Sequence, residues 1–299
     1  MAKLKNYESI PEYNESLGVT TDHPLVSVVD LSQAHPMHHQ RHTMSFYAVY
    51  LKEVKCGNMI YGCNYYDYQE GSVVFLAPGQ VIGVEDNGEV YQPKGYALLF
   101  HPDLIAGTPL ARLMKDYSFF SYEVREALHL SEKEREVFLS SLQNIKQEIG
   151  ETIDKYSKRL ITSSISVLLD HCMRFYDRQF ITREKVNTDL LTKFESLLDR
   201  YIRDGLLRKK GVPTVQYCAG ELCLSPNYFG DLVKKQTGKT PKEYIDLRVL
   251  TEAKIQLQQQ DMTVTEISDY LGFQYLQHFS RFFKKAVGMS PNQYRAQYS

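Results

Sequence analysis

Between residues 25 and 105 the apolar positions come in short runs: Leu25–Leu31, Ser45–Leu51, Ser72–Leu76 and Tyr96–Phe100. Turn residues separate them at Cys56-Gly57-Asn58, Glu70-Gly71, Pro78-Gly79 and Asp86-Asn87-Gly88. Short runs bounded by glycine, proline and asparagine predict the strands of a small antiparallel β-barrel or sandwich. From about residue 131 the period changes. Phe138, Leu142, Ile145 and Ile149 recur three and four residues apart, as do Ile161, Ile165, Leu168, Cys172 and Phe175, which predicts two amphipathic helices over about 131–150 and 153–178. The basic stretch Leu207–Pro213 reads as a linker or turn, and the sequence beyond it reads as helical throughout.

That last segment repeats itself. Phe229–Tyr244 aligns with Phe279–Tyr294 at an offset of 50, sharing the phenylalanine, a Lys-Lys pair, a glycine, a proline and the closing tyrosine. The shared residues carry helix punctuation. Gly238 and Gly288 stand where a helix ends in a left-handed residue, and Thr240-Pro241 and Ser290-Pro291 are a cap followed by proline at the first helical position. Thr240 with Glu243 and Ser290 with Gln293 have capping-box spacing. A further helix precedes each copy, over Thr214–Cys223 and over Thr263–Leu271, the latter opening on Thr263-Val-Thr-Glu266 and closing at Gly272. Ala219 and Ser268 are small where the two helices of each unit must cross. Two helix-turn-helix units follow, joined by a helix from Pro241 to about Gln259 that spans roughly 28 Å. That length suits probes entering successive major grooves of B-DNA.

Charge sharpens this picture. The chain of 299 residues has a net charge of −1, yet residues 1–184 carry 18 Lys+Arg against 24 Asp+Glu and residues 185–299 carry 17 against 12. A polyanion is therefore the partner chemistry suggests for the C-terminal third. No apolar run reaches the length of a membrane span, and Met1–Tyr13 is polar and mixed in charge, so a cytoplasmic protein with reduced thiols is expected. The five cysteines are odd in number and scattered. Cys218 and Cys223 read as small apolar residues, while Cys56 and Cys63 flank an expected hairpin.

Ser225-Pro-Asn-Tyr-Phe229, Gly238-x-Thr-Pro241, Ile267-Ser-x-x-Leu-Gly272-Phe273, Phe279-Ser-Arg281-x-Phe283-Lys284-Lys285 and Gly288-x-Ser-Pro291-x-x-Tyr294-Arg295 closely resemble the AraC/XylS transcription regulators. The resemblance covers roughly residues 212–298. It implies a DNA-binding domain with paired helix-turn-helix units, fused to an N-terminal effector-binding or dimerisation domain that is often a cupin-like barrel. Gly71–Val81 resembles a segment of such a barrel, although Ile82 stands where a metal-ligating histidine would be expected. The expected fold class is α+β: residues 1–180 a cupin-like β-barrel with following helices, 181–211 a linker helix and connection, and 212–299 an all-α domain with two helix-turn-helix units.

For base reading the expected residues are Gln277, His278 and Arg281 in the second unit and Asn227 in the first, because arginine bonds guanine and glutamine or asparagine bonds adenine bidentately. Ser225, Tyr228, Lys234, Lys235, Lys284 and Lys285 are the expected positioning contacts, the lysines against phosphate or, equally, as compensation for helix dipoles. Asp231 repels phosphate, so the second unit is expected to carry more sequence information than the first. In the N-terminal half Tyr47, Tyr61 and Tyr65 are candidates for the wall of a small-molecule pocket, with core packing as the plainer reading. The cluster His35, His38, His39 and His42 lacks partners of metal-ligand spacing, so neither metal nor cofactor is expected. The expected partners are double-stranded DNA, a small-molecule effector and a second copy of the chain, docked through the helices after the barrel; no membrane is involved. An enzyme is the rival reading, a cupin-like catalyst tethered to DNA, but neither a phosphate loop nor a nucleophile elbow appears.

Overall fold

Each apolar run of the N-terminal half becomes a strand, and the reason the runs lack polar alternation is that their sheet is covered on both faces. A computed structural model describes residues 5–297 except 39, 54–59, 62–63, 66–70, 83–87, 123–125, 183 and 260. Contacts divide the chain into two units, Met1–Thr182 and Arg183–Ser299.

The first unit runs β1 (Lys5–Tyr7), α1 (Ile10–Leu17), β2 (Val26–Asp30), β3 (Met37–His38), β4 (His42–Met44), β5 (Tyr47–Lys52), β6 (Ile60–Tyr61), β7 (Asn64–Tyr65), β8 (Ser72–Leu76), β9 (Val90–Tyr91) and β10 (Gly95–Phe100). There follow α2 (Pro102–Ile105), α3 (Pro109–Leu113), β11 (Leu128–His129), α4 (Glu132–Gly150) and α5 (Ser157–Thr182). Five strands form one antiparallel sheet in the order β11-β8-β5-β10-β2. One face sets Val29, Ala48, Tyr50, Val74, Leu76, Ala97 and Leu99 against Tyr7, Ile10, Tyr13, Leu17, Met44 and Phe46. On the other face Tyr47 stacks on Phe100 at 5.0 Å, and Phe75 meets Phe119 at 4.3 Å and Phe120 at 5.5 Å. Every residue of β8 is buried. A closed barrel is not seen among the described residues: the five-stranded sheet ends at β11 and β2, and β1–β4, β3–β9 and β6–β7 are separate two-stranded ladders. Helices and aromatic side chains cover the second face and bury it.

α4 opens on a capping box, Ser131 with Glu134, and packs along α5. The guanidinium of Arg178 on α5 grips Glu134 through two hydrogen bonds of 3.0 and 2.6 Å and also donates to the His129 carbonyl at 2.6 Å. Burial pushes the Glu134 carboxyl up, but the bonds from Arg178 and Ser131 outweigh it and hold the group below the ordinary carboxylate range.

The second unit is all helical: α6 (Glu184–Arg203), α7 (Leu206–Lys210), α8 (Val215–Glu221), α9 (Pro226–Thr237), α10 (Pro241–Gln259), α11 (Val264–Tyr270), α12 (Leu276–Val287) and α13 (Pro291–Arg295). The stretch Leu207–Pro213 is not a mere turn. Most of it is α7, bracketed by Gly205 and Gly211 in left-handed or extended glycine geometry, and Leu207 is buried. The chain at Gly272 passes so close that a Cβ there would sit 2.2 Å from the Leu207 carbonyl oxygen, which is why only glycine fits at φ 80°. Helix α6, within the stretch expected to be a connection, packs inside this unit. Phe194 lies edge-on to Phe229 at 4.9 Å and beside Tyr244 at 5.4 Å, Tyr244 donates its hydroxyl to Glu195, and Arg248 pairs with Asp199.

Candidate nucleic-acid interface

The two helix pairs are built from the same hydrogen bonds. Thr214 caps α8 by accepting from Tyr217, and Thr263 caps α11 by accepting from Glu266 while the Glu266 side chain accepts from the Thr263 amide. At the far end Leu224 N–H donates to Ala219 O at 2.9 Å and Phe273 N–H donates to Ser268 O at 3.0 Å. Cys223 and Gly272 occupy the equivalent left-handed position, at φ 55° and 80°. Cys223 is the one described non-glycine residue with positive φ. Ala219 and Ser268 are both buried where the helices cross, and the Ser268 hydroxyl has no hydrogen-bond partner. These first helices match at an offset of 49, whereas the second helices match at 50, so the turn into α12 is one residue longer than the turn into α9.

α12 divides cleanly around its circumference. At about 100° per residue, Gln277, His278, Arg281, Lys284 and Lys285 fall within an arc of about 120°, and all five are exposed. Phe279 and Phe283 lie opposite and are fully buried, packed on Phe273 and Tyr294. Burying each ring contributes about 2–3 kcal/mol, which fixes the rotation of the helix and so the exposure of the polar arc. The helix ends at Gly288, φ 86°, whose N–H bonds the Lys284 carbonyl. α9 repeats the scheme with a different result. Asn227, Lys234 and Lys235 are exposed and Asp231 is half-buried, over a buried stripe of Tyr228, Phe229, Leu232 and Val233. The arc on α12 therefore carries three cations, and the arc on α9 two cations and a carboxylate.

Two expected contacts move inside. Tyr228 is only 6% exposed, and Ser225, 3% exposed, accepts the Tyr228 amide at 3.2 Å as the cap of α9. Both belong to the core and the cap, because the apolar stripe of α9 extends through Tyr228. α10 supports both helix pairs. Its Ile245, Val249, Ala253 and Leu257 are buried, Tyr270 of α11 donates to Glu252 at 3.1 Å, and Gln258 donates to Tyr294 of α13 at 3.2 Å. Tyr275 and Leu276 are both exposed at the head of α12, and their signal in the sequence is an apolar pair in place of the Ser-Pro cap of α9.

In the first unit Tyr47 sits on the sheet face that meets Phe100 and Phe120 and is committed to that stack. The side chains of Tyr61 and Tyr65, and Cys56, Cys63 and His39, lie outside the described residues. The opposite face holds a polar group among aromatics: Tyr13 and Tyr50 share a 2.8 Å hydroxyl bond, Tyr7 stands edge-on to His42 at 5.3 Å, and His42 Nε2 is buried with no partner among the described residues. Burial lowers the His42 pKa and raises that of Tyr50. A separate cleft of about 420 Å³ between β2, β10 and α4 is lined by Asp30, Tyr96, Gln143 and Lys146 among others. Among the described residues no group of three or more His, Cys, Asp or Glu is arranged to hold a metal, and no helix is long and apolar enough to cross a membrane. Burial pushes the Cys172 thiol up and that of Cys218 to about 12.

Comparison with known proteins singles out the same region. A family model described as a helix-turn-helix domain matches residues 218–297. The HTH-type transcriptional regulator YobQ of Bacillus subtilis is 51% identical over 71 residues, 23% of this chain and 29% of that protein, so the match spans less than a third of this relative's length. The HTH-type transcriptional regulator YijO of Escherichia coli is 25% identical over 228 residues, 76% of this chain and 77% of its own. The arabinose operon regulatory protein of Escherichia coli is 32% identical over 78 residues, 26% of this chain and 27% of its own. Taken with the duplicated helix pairs and their shared caps, these likenesses make the C-terminal part of the chain, residues 218–297, a helix-turn-helix domain of the AraC type.

Proposed function

We propose that this chain is a sequence-specific DNA-binding transcription regulator, and that α12 supplies most of its sequence discrimination. The observation that carries the reading is the exposed arc of Gln277, His278, Arg281, Lys284 and Lys285 over a buried phenylalanine face. It puts two side chains suited to bidentate base contact among cations suited to phosphate. Asn227, Lys234 and Lys235 on α9 position the second contact, and Asp231 limits it. On one selected duplex at fixed salt, Arg281→Ala weakens binding about 5- to 150-fold, the range of one bidentate pair, and Asn227→Ala weakens it less. The opposite order refutes the ranking.

Control by a small-molecule effector in the N-terminal unit belongs to the same reading, with that unit taken as a cupin-like fold. Its support is chemical: a partnerless buried nitrogen on His42 beside the Tyr13–Tyr50 hydroxyl pair favours a ligand that brings a hydrogen-bond donor. An effector acts only by binding the DNA-competent state with a different affinity, and α6 is the element through which that difference would pass, since Phe194, Glu195 and Asp199 hold α9 and α10. Thermal-shift screening of metabolites tests this, and a chain whose melting and DNA affinity respond to none refutes it. A homodimer completes the proposal. Leu160, Val167 and Ile181 are exposed large apolar residues on α5 at seven- and fourteen-residue spacing, the repeat of a helix–helix seam. Val167→Glu should turn a dimer into a monomer by sedimentation, and a wild-type monomer at micromolar concentration removes the seam. The relatives are named as transcriptional regulators, which supports this reading over the catalytic rival.

A further inference from the structure

We propose that Tyr275 and Leu276 form an apolar tip on α12 that reads the C5-methyl groups of thymine in duplex DNA. The inference rests on the DNA-binding reading above and adds a class of base contact to it. Tyr275 is 58% exposed and Leu276 is 39% exposed, whereas the phenylalanines Phe279 and Phe283 further along the helix are fully buried. The duplication supplies an internal control. At the same positions α9 has Ser225, which caps the helix, and Pro226 at its first position. α12 replaces them with a tyrosine that makes no side-chain cap and a leucine. That exchange gives up a stabilising hydrogen bond and leaves two large apolar side chains in water, so local stability does not account for it.

The surroundings say what covers them. Arg281 follows between one and two turns along the helix on its exposed arc, Lys284 and Lys285 stand in the last turn, and His278 stands edge-on to the Tyr275 ring at 5.3 Å. An apolar tip at the head of a helix whose exposed arc carries three cations is complementary to a polyanion that carries apolar groups in a groove, and the thymine methyl is the apolar group that the major groove presents. N-terminal residues of a recognition helix are those that approach base edges.

The full-length chain is used to select duplexes from a random pool, and the winning duplex is then remade with every thymine replaced by deoxyuridine, which removes the methyls and keeps the pairing. Wild type loses about fourfold in affinity for each methyl it covers. Leu276→Ala loses that factor on the thymine duplex and becomes less sensitive to the replacement. Tyr275→Ser does the same while raising the melting temperature, because it restores the cap; a merely structural role would move both in one direction. Arg281→Ala weakens both duplexes alike. Equal wild-type affinity for the two duplexes, or methyl sensitivity undiminished in the Tyr275→Ser/Leu276→Ala double variant, overturns the methyl reading and leaves DNA binding standing. Failure of the pool to enrich any duplex overturns both.

Discussion

Replacing Lys284 and Lys285 by glutamine should flatten the salt dependence of DNA binding, by an amount that the exposed charges set. The polar arcs of α9 and α12 expose five full cations, Lys234, Lys235, Arg281, Lys284 and Lys285. Each phosphate neutralised contributes about 0.9 to the slope of log affinity against log salt, so the five set a ceiling near 4.5. Between 50 and 200 mM salt that ceiling corresponds to about a 500-fold loss of affinity, and removing two cations lowers it to about 40-fold. Fluorescence anisotropy on a single labelled duplex, titrated at several potassium chloride concentrations, reads the slope directly. The competing role for these lysines is local, since both lie in the last turn of α12, where a cation offsets the helix dipole by about 0.3–1 kcal/mol. In that case the double variant melts earlier with its slope unchanged. A folded variant with the wild-type slope would therefore refute the phosphate assignment.

Two further outcomes probe the fold. Ser268→Ala should stabilise the second unit by about 1 kcal/mol, because the Ser268 hydroxyl is buried without a partner and the equivalent position of the first pair is already alanine; urea denaturation showing a loss instead would mean the hydroxyl is satisfied. In the first unit the Glu134 carboxyl is held below its ordinary range by the fold, so its contribution is present at neutral pH and fades as acid takes the solution through the ordinary carboxylate range and then through the lowered one. Glu134→Gln should lower stability at pH 7 and narrow the gap to wild type at pH 4, and a gap that widens in acid would contradict the assignment.

What could be read from the chain alone was whatever short-range chemistry decides. Pro241 and Gln259 bound α10 as expected, and the boxes at Thr263 and Ser290 form with both of their hydrogen bonds, because a cap involves residues three apart and needs no knowledge of the rest of the fold. The face on which Tyr47 falls was not legible, since the pairing of Tyr47 with Phe100 in the ladder decides it. Nor was α7, whose basic composition looks like a linker until Leu207 finds its place beside Gly272. Tyr228 was misassigned for a different reason. Its chemistry suits a phosphate, but its register with Leu232 already placed it on the apolar side of α9. Whether the sheet closes was not legible either, because apolar runs look alike whether helices or a closing strand cover them.

The extra residue in the turn before α12 breaks the symmetry of the duplication. Two identical probes would read the same word twice. Here the halves differ in charge, in cap and in the side chains at their leading ends, so the proposed DNA-facing surface has a polarity. Under the proposed function, inverting a site would present a different helix pair to whatever lies downstream, and orientation would become part of what the duplex encodes.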